Sequence, residues 1–358
     1  MKTLRRVALA LAAGAMGLAL GGAAAGSTSK SRPKVRHIQG RIEALALDGS
    51  RIAYDVGPQG VANKVLVWNV STGKTTTVSG KHTRSADDSS TGSGVIQLAI
   101  AGSRVAWLVN VGGNTEGDDY LYSSSVTKPK EREVATEQRL GESCPGRSQT
   151  NCAGQWLGGL VASGNLIALN RWTTDAAGSV IDGGLYVLSG TTMKTVANGG
   201  ITVEAASADG GRVAVLHPGI GVVVYSSAGM FLLTVSVPSA AATALGGHNL
   251  AVLTTTRQLE IWDTRTAKLR KTFAVAGSPK QPPGNLDVQG NIAIYTTGPS
   301  LHAVNLSSGK DRAIGKLRGS VAFAHVSSAG VVYSTGRFRS KGTLVFLPFA
   351  RVAAAVSG

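Results

Sequence analysis

The groups from which catalytic and metal sites are built are few in this chain, and they are scattered. His37, His82, His217, His248 and His302 show no short regular spacing of the kind that holds a metal ion. Cys144 and Cys152 are the two cysteines, set in one polar run, Glu142-Ser-Cys-Pro-Gly-Arg-Ser-Gln-Thr-Asn-Cys152. Without histidines beside them they make a poor zinc site, and in an oxidising compartment they predict a local disulfide. A loop that short gives only about 2 to 3 kcal/mol of entropic stabilisation, so the bridge would shape a loop rather than hold a fold. Glu116, Asp118 and Asp119 are weak candidates for calcium, because Gly113-Asn-Thr-Glu-Gly-Asp-Asp119 lacks the alternating ligands of a calcium loop. Neither a Gly-x-Ser-x-Gly elbow nor a phosphate loop occurs. The expectation is no metal, no cofactor and no catalytic residue.

Two other sets of side chains are more informative. Trp156, Trp172 and Tyr120 are large aromatics in otherwise polar segments, and Arg171 and Asp175 flank the second of them. Aromatics so placed suit stacking on a sugar or packing against a protein partner. Glu43 and Glu204 stand at equivalent starts of two apolar runs, and Asp287 and His325 lie in comparable regions of later ones. Those four matter only if the elements that carry them converge.

The elements announce themselves by repetition. A glycine, one or two variable residues, a β-branched residue or Leu, then Ala and a further apolar residue recur as Gly49-Ser-Arg-Ile-Ala-Tyr54, Gly102-Ser-Arg-Val-Ala-Trp107, Gly164-Asn-Leu-Ile-Ala-Leu169, Gly210-Gly-Arg-Val-Ala-Val215, Gly247-His-Asn-Leu-Ala-Val252 and Gly290-Asn-Ile-Ala-Ile294. A degenerate seventh copy is Gly330-Val-Val-Tyr333. Successive glycines are about 37 to about 62 residues apart, and the shorter values match one propeller blade. Around each glycine the chain offers four strands: an Ala-rich run, the run after the glycine, an alternating run such as Val65 to Val70 or Leu301 to Leu306, and a fourth with Lys or Arg.

The last copy supplies three strands and then runs into Val352-Ala-Ala-Ala-Val356, which lacks the fourth-strand pattern. The missing strand stands at the other end, where Lys34-Val-Arg-His-Ile-Gln-Gly40 matches Lys74-Thr-Thr-Thr-Val-Ser-Gly80. The prediction is an all-β, seven-bladed β-propeller of four-stranded antiparallel blades, with the ring closed by an N-terminal strand in the last blade. Leu259-Glu-Ile-Trp-Asp-Thr-Arg-Thr-Ala-Lys268 and Val65-Leu-Val-Trp-Asn-Val-Ser-Thr-Gly-Lys74 resemble the third strand and turn of WD repeats, and the whole is similar to the WD-repeat and TolB-like group of propellers. That resemblance implies a fold and a habit of binding, with no named partner.

In such a ring, second-to-third and fourth-to-first connections share one face. The long insertions, Asp55 to Lys64, Lys81 to Gly94, Asn110 to Asp119, Glu137 to Trp156 and Arg171 to Gly183, all fall there, in the first three repeats. The leading reading is a non-enzymatic binding or scaffold module that uses this face. The alternative is a propeller enzyme, a lactonase, lyase or quinoprotein-like enzyme, with Glu43, Glu204, Asp287 and His325 at the channel mouth.

Lys2, Arg5 and Arg6 precede an uncharged run rich in Ala, Leu and Gly, which ends in Ala23-Ala-Ala25. This predicts a signal peptide over residues 1–25, with the general secretory and twin-arginine routes both open. Residues 26–33 are expected to be a flexible mature N-terminus and 34–358 one domain, secreted or in the cell envelope, with no transmembrane segment after cleavage. The formal net charge is +16, and from Arg257 onward fourteen Lys and Arg stand against Glu260, Asp263, Asp287 and Asp311. An exported basic protein without aromatics interleaved among its charges is expected to meet a protein or an anionic envelope polymer and no nucleic acid, and to do so as a monomer.

Overall fold

Short strands separated by glycine turns pair locally, and the pairing repeats. The computed structural model describes residues 32–357 except 58–63, 86–92, 113–116, 139–153, 176, 178, 199–205, 218, 279–282, 318–322 and 336–340. Strand β1 (Lys34–His37) comes first, followed by blade one, β2 (Leu45–Asp48), β3 (Arg51–Val56), β4 (Lys64–Asn69) and β5 (Thr75–Thr77). Helix α1 (Lys81–Ser85) leads into blade two, β6 (Ser93–Ala101), β7 (Arg104–Gly112), β8 (Gly117–Ser125) and β9 (Arg132–Gln138). Blade three is β10 (Gly154–Ser163), β11 (Leu166–Thr174), β12 (Val180–Ser189) and β13 (Thr192–Asn198). Blade four is β14 (Ala206–Asp209), β15 (Arg212–His217), β16 (Gly221–Ser226) and β17 (Phe231–Ser236). Blade five is β18 (Ala240–Gly246), β19 (Asn249–Thr254), β20 (Gln258–Asp263) and β21 (Leu269–Ala274). Blade six is β22 (Pro283–Gln289), β23 (Ile292–Thr297), β24 (Ser300–Asn305) and β25 (Asp311–Lys316). Blade seven takes β26 (Ala324–Val326), β27 (Gly330–Thr335) and β28 (Thr343–Pro348), after which the chain ends in α2 (Phe349–Val356).

The ring is closed as the sequence predicts. Strand β1 pairs antiparallel with β28, Lys34 opposite Phe346 and His37 opposite Thr343, so blade seven reads β1-β28-β27-β26. Each first strand lies against the first strands of its two neighbours, and β26 lies against β2. Seven hydrophobic clusters result, one at each junction between blades. Second strands are packed on both sides, which is why Ile52, Ala53 and Tyr54 or Leu250, Ala251, Val252 and Leu253 read as unbroken apolar runs. Outer strands such as β21 are mostly exposed and carry the lysines and arginines.

The glycine column has a backbone cause. Gly49, Gly102, Gly164, Gly210, Gly247 and Gly290 sit in the tight turns between first and second strands with φ between 54° and 61°, a region that side chains with a Cβ avoid. Gly330 is there for a different reason: a Cβ on it would meet the Leu347 carbonyl oxygen at 2.2 Å.

Around these turns each blade is fastened to the next. The Gly102 amide donates to Asp48 Oδ2 (2.6 Å) and Arg51 donates to the Gly102 carbonyl (2.7 Å). Gly247 donates to Asp209 Oδ2 (2.7 Å) while Arg212 donates to the Gly247 carbonyl. Ser327 Oγ donates to Gly49 O (2.8 Å), which carries the pattern across the closure.

Two expectations about the insertions are corrected. Asn110 to Asp119 and Arg171 to Gly183, read as loops, are largely paired strand, with Asn110 opposite Asp119, Val111 opposite Asp118, Trp172 opposite Gly183 and Thr173 opposite Asp182. Polar residues there follow the two-residue period of a strand, and cross-strand partners satisfy their backbone groups. Within Lys81 to Gly94, residues 81–85 form α1. The Glu131 carboxylate accepts the amides of Gly80, His82 and Thr83 and the Thr83 hydroxyl, and Trp107 Nε1 donates to Thr83 Oγ1 (2.9 Å). The segment around Val352, which has no strand pattern, is helical because Val352 and Val356, four residues apart, reach the blade six–seven core together.

Candidate functional site

Blades two and three rise above the ring. Their second and third strands are nine or ten residues long, whereas those of the other blades are six. Three extra residues at about 3.3 Å each carry the sheet roughly 10 Å further on the face shared by second-to-third and fourth-to-first connections. Most of the aromatic and charged candidates lie on this crest.

Strand alternation decides which side of the crest each occupies. Leu157 and Leu169 belong to the core shared with blade two, and Ala168 and Leu185 to the core shared with blade four. Trp156 and Trp172 therefore face blade four. They are cross-strand partners and stack, with centroids 6.2 Å apart and planes 6° from parallel, and Trp156 Nε1 donates to Thr174 Oγ1 (3.1 Å). Gly158 makes room for the pair, since a Cβ there would meet the Trp172 ring at 3.0 Å. Asn170, on the same side of β11, is fully buried; its Nδ2 donates to Gly184 O (3.2 Å) and its Oδ1 has no partner.

Arg171 faces blade two. Its guanidinium grips Glu137 through Nε (2.8 Å) and Nη2 (3.2 Å) and reaches Gln155 Oε1 (3.2 Å). Glu137 is buried, which pushes its carboxyl above the ordinary range, and Arg171 pulls the other way. Sequence reading missed Glu137. The signal for it lay in register, because Glu137 stands opposite Asp119, and two neighbouring carboxylates call for a cation.

Tyr120 points the third way, toward blade one, stacked 6.1 Å from Tyr122 and donating to Asp118 Oδ2 (3.2 Å). Asp175 shapes its own turn by accepting the amides of Ala177 (2.9 Å) and Ser179 (2.8 Å). Asp119 is buried and accepts from Asn110 Nδ2 and the Leu157 amide, both at 3.2 Å. Trp156 and Trp172 thus come together, while Arg171 lies between blades two and three and Tyr120 between blades one and two. Cys144, Cys152, Glu116 and Glu204 lie outside the described residues.

The first strands enclose a central cavity of about 180 Å³, lined by Asp48, Ser163, Asp209, Asp287 and His325 among others. Asp287 and His325 are brought together, Nδ1 to Oδ2 at 3.4 Å. The same carboxylate accepts the Val326 amide (2.9 Å), just as Gln97 accepts from Leu160 (2.8 Å) and Ser207 from Leu245 (2.9 Å). Glu43 does not line this cavity; it stands before β2 and pairs with Arg41 at 2.9 Å. Among the described residues no three of His, Cys, Asp and Glu converge as metal ligands, and no helix is long and apolar enough to cross a membrane.

No family model and no curated protein matches the chain. Among solved structures it is similar to BamB from Moraxella catarrhalis, at 10% identity over 86% of each chain with a TM-score of 0.48. It is likewise similar to Sqt1 from Saccharomyces cerevisiae, at 10% identity over 88% of this chain and 98% of that one, with a TM-score of 0.48.

Proposed function

We propose that this chain is an exported, non-enzymatic propeller that binds a protein or an envelope glycopolymer on the crest of blades two and three. The observation that carries the reading is the stacked Trp156 and Trp172 pair, part-exposed on a rigid strand pair. Flat aromatic faces so placed suit a sugar ring or the rim of a protein partner.

Export rests on the charge and apolar pattern of residues 1–25, and the basic last third suits an anionic surface. The second reading, catalysis at the channel, is favoured by Asp287 and His325 alone, and Asp287 already serves to hold blade seven. The test is capture from an envelope extract at low and high salt beside a Trp156→Ala/Trp172→Ala variant. A partner kept at high salt and lost in the variant supports the crest. Capture that vanishes with salt in both proteins overturns it, and turnover lost on Asp287→Asn would move the assignment to the channel.

A further inference from the structure

On the opposite, short-turn face, blades two and three part to leave a groove of about 400 Å³, within the range of small-ligand sites. Three of its four cations come from one short segment, Lys128-Pro-Lys-Glu-Arg-Glu133, in which the sign of charge alternates from Lys130 to Glu133. In an extended strand that alternation becomes segregation, because successive side chains point to opposite faces. Glu131 turns toward α1 and Glu133 stands opposite Tyr122, both on the blade-one side. Lys130 and Arg132 are left on the groove side, where Lys128 and Arg104 join them.

Among the described residues that line the groove there is no acid. Among the described residues Lys128, Lys130 and Arg132 enter no ion pair, whereas Arg171, Arg212, Arg265 and Arg270 each do. Arg104 is spent on the carbonyls of Leu188 and Asn165, so its charge remains uncompensated. Four like charges around one opening raise a positive potential that an anion lowers. Ile167 and Leu188 close the groove from below but are themselves buried in the core, so the apolar surface on offer is the aliphatic stems of the long cationic side chains, with the hydroxyls of Ser123 and Ser125 at the side.

We propose that this groove binds an anionic amphiphile, a phosphate-bearing head group held by Lys128, Lys130 and Arg132 with a short acyl segment laid along the aliphatic stems of those side chains. It lies on the face away from the crest and does not depend on the reading of the tryptophans.

The test uses the purified full chain and a short-chain phosphatidic acid below its micelle concentration, read by calorimetry. The comparisons are phosphatidylcholine of the same chain length and inorganic phosphate. Phosphatidic acid should bind at least about tenfold more tightly than either. Lys130→Glu/Arg132→Glu should weaken it at least about tenfold with an unchanged melting temperature, while the charge-matched Lys268→Glu/Arg312→Glu on blades five and six stays within about twofold. Equal loss in both variants would reduce the effect to bulk charge and overturn the site. Inorganic phosphate binding as tightly as the lipid would remove the acyl segment from the proposal, and no binding of phosphatidic acid would end it.

Discussion

Trp156 and Trp172 face one another across the β10 and β11 pair, so the aromatic crest of blade three is a built surface rather than two loose loop residues. Stacked pairs of this kind are worth about 0.5 to 1.5 kcal/mol beyond the area they bury. Trp172→Ala should lower the urea midpoint modestly, leave the strand spectrum intact and abolish capture of the partner. Loss of folding in step with loss of capture would make the pair structural only.

Asp55 is fully buried on β3, and burial pushes its carboxyl up to about 8, while the amides of Glu43 and Ala44 at 2.6 and 2.7 Å pull it down. In the unfolded chain the group returns to about 4. Between those values the folded chain holds a proton that the unfolded chain has released. Its contribution to stability is therefore whole below about pH 4, declines as pH rises and is lost above about pH 8. Denaturation midpoints should fall between about pH 5 and pH 8, and Asp55→Asn, which keeps an acceptor for both amides, should flatten that slope. Equal slopes in the two proteins would contradict the raised carboxyl.

The clamp at Asp48 and Gly102 repeats at Asp209 and Gly247 three blades away. Each aspartate cut back to alanine removes a hydrogen bond from a turn amide that water can reach and should cost about 0.5 to 1.5 kcal/mol. With no shared partner, the double variant should show the sum to within about 0.5 kcal/mol. Urea titration of the four proteins measures it.

Turns after the third strand share one geometry: Asn69 and Asn305 accept the two amides that follow, and Gly73 and Gly309 both take φ 75°. In blade five Asp263 plays the asparagine part, accepting from the Arg265 amide at 2.7 Å, but Ala267 stands in the glycine position at φ 51°. Ala267→Gly should relieve that strain and stabilise by about 0.5 to 1 kcal/mol, seen as a melting temperature higher by roughly 2 °C.

Ring closure rests on β1 and the residue after it. Ile38 is buried in the blade seven–one core with Leu344 and Phe346, and its amide donates to Gly342 O at 2.9 Å. Ile38→Ala should cost about 2 to 4 kcal/mol. Deleting residues 32–39 should expose the β28 edge and bring concentration-dependent association in light scattering. A truncated chain that stays monomeric and melts as before would show that the closure is dispensable.

Repetition was legible from the residues because its causes are local. A left-handed turn admits glycine with little else, so Gly49, Gly102 and their counterparts stand out, and β1 is found by its likeness to Lys74 to Gly80. Val352 to Val356 was legible only as a failure of the strand pattern, since a helix of eight residues is held by the core beneath it. The crest was half read. Polar composition put Asn110 to Asp119 and Arg171 to Gly183 in loops, and pairing between segments far apart in the chain made them strands.

By itself the sequence determined seven copies, four strands to a copy, the closing strand and the uneven spread of charge, all of which follow from periods of two residues and of about forty. The tertiary structure alone decided which way each side chain turns. Tyr120, Arg171 and Trp172 sit on three different sides of two blades, Glu137 meets Arg171, and the alternating charges of residues 130–133 separate into an acidic and a basic face. A strand fixes only that neighbouring residues point apart, and which neighbour lies on either side is settled when the ring closes.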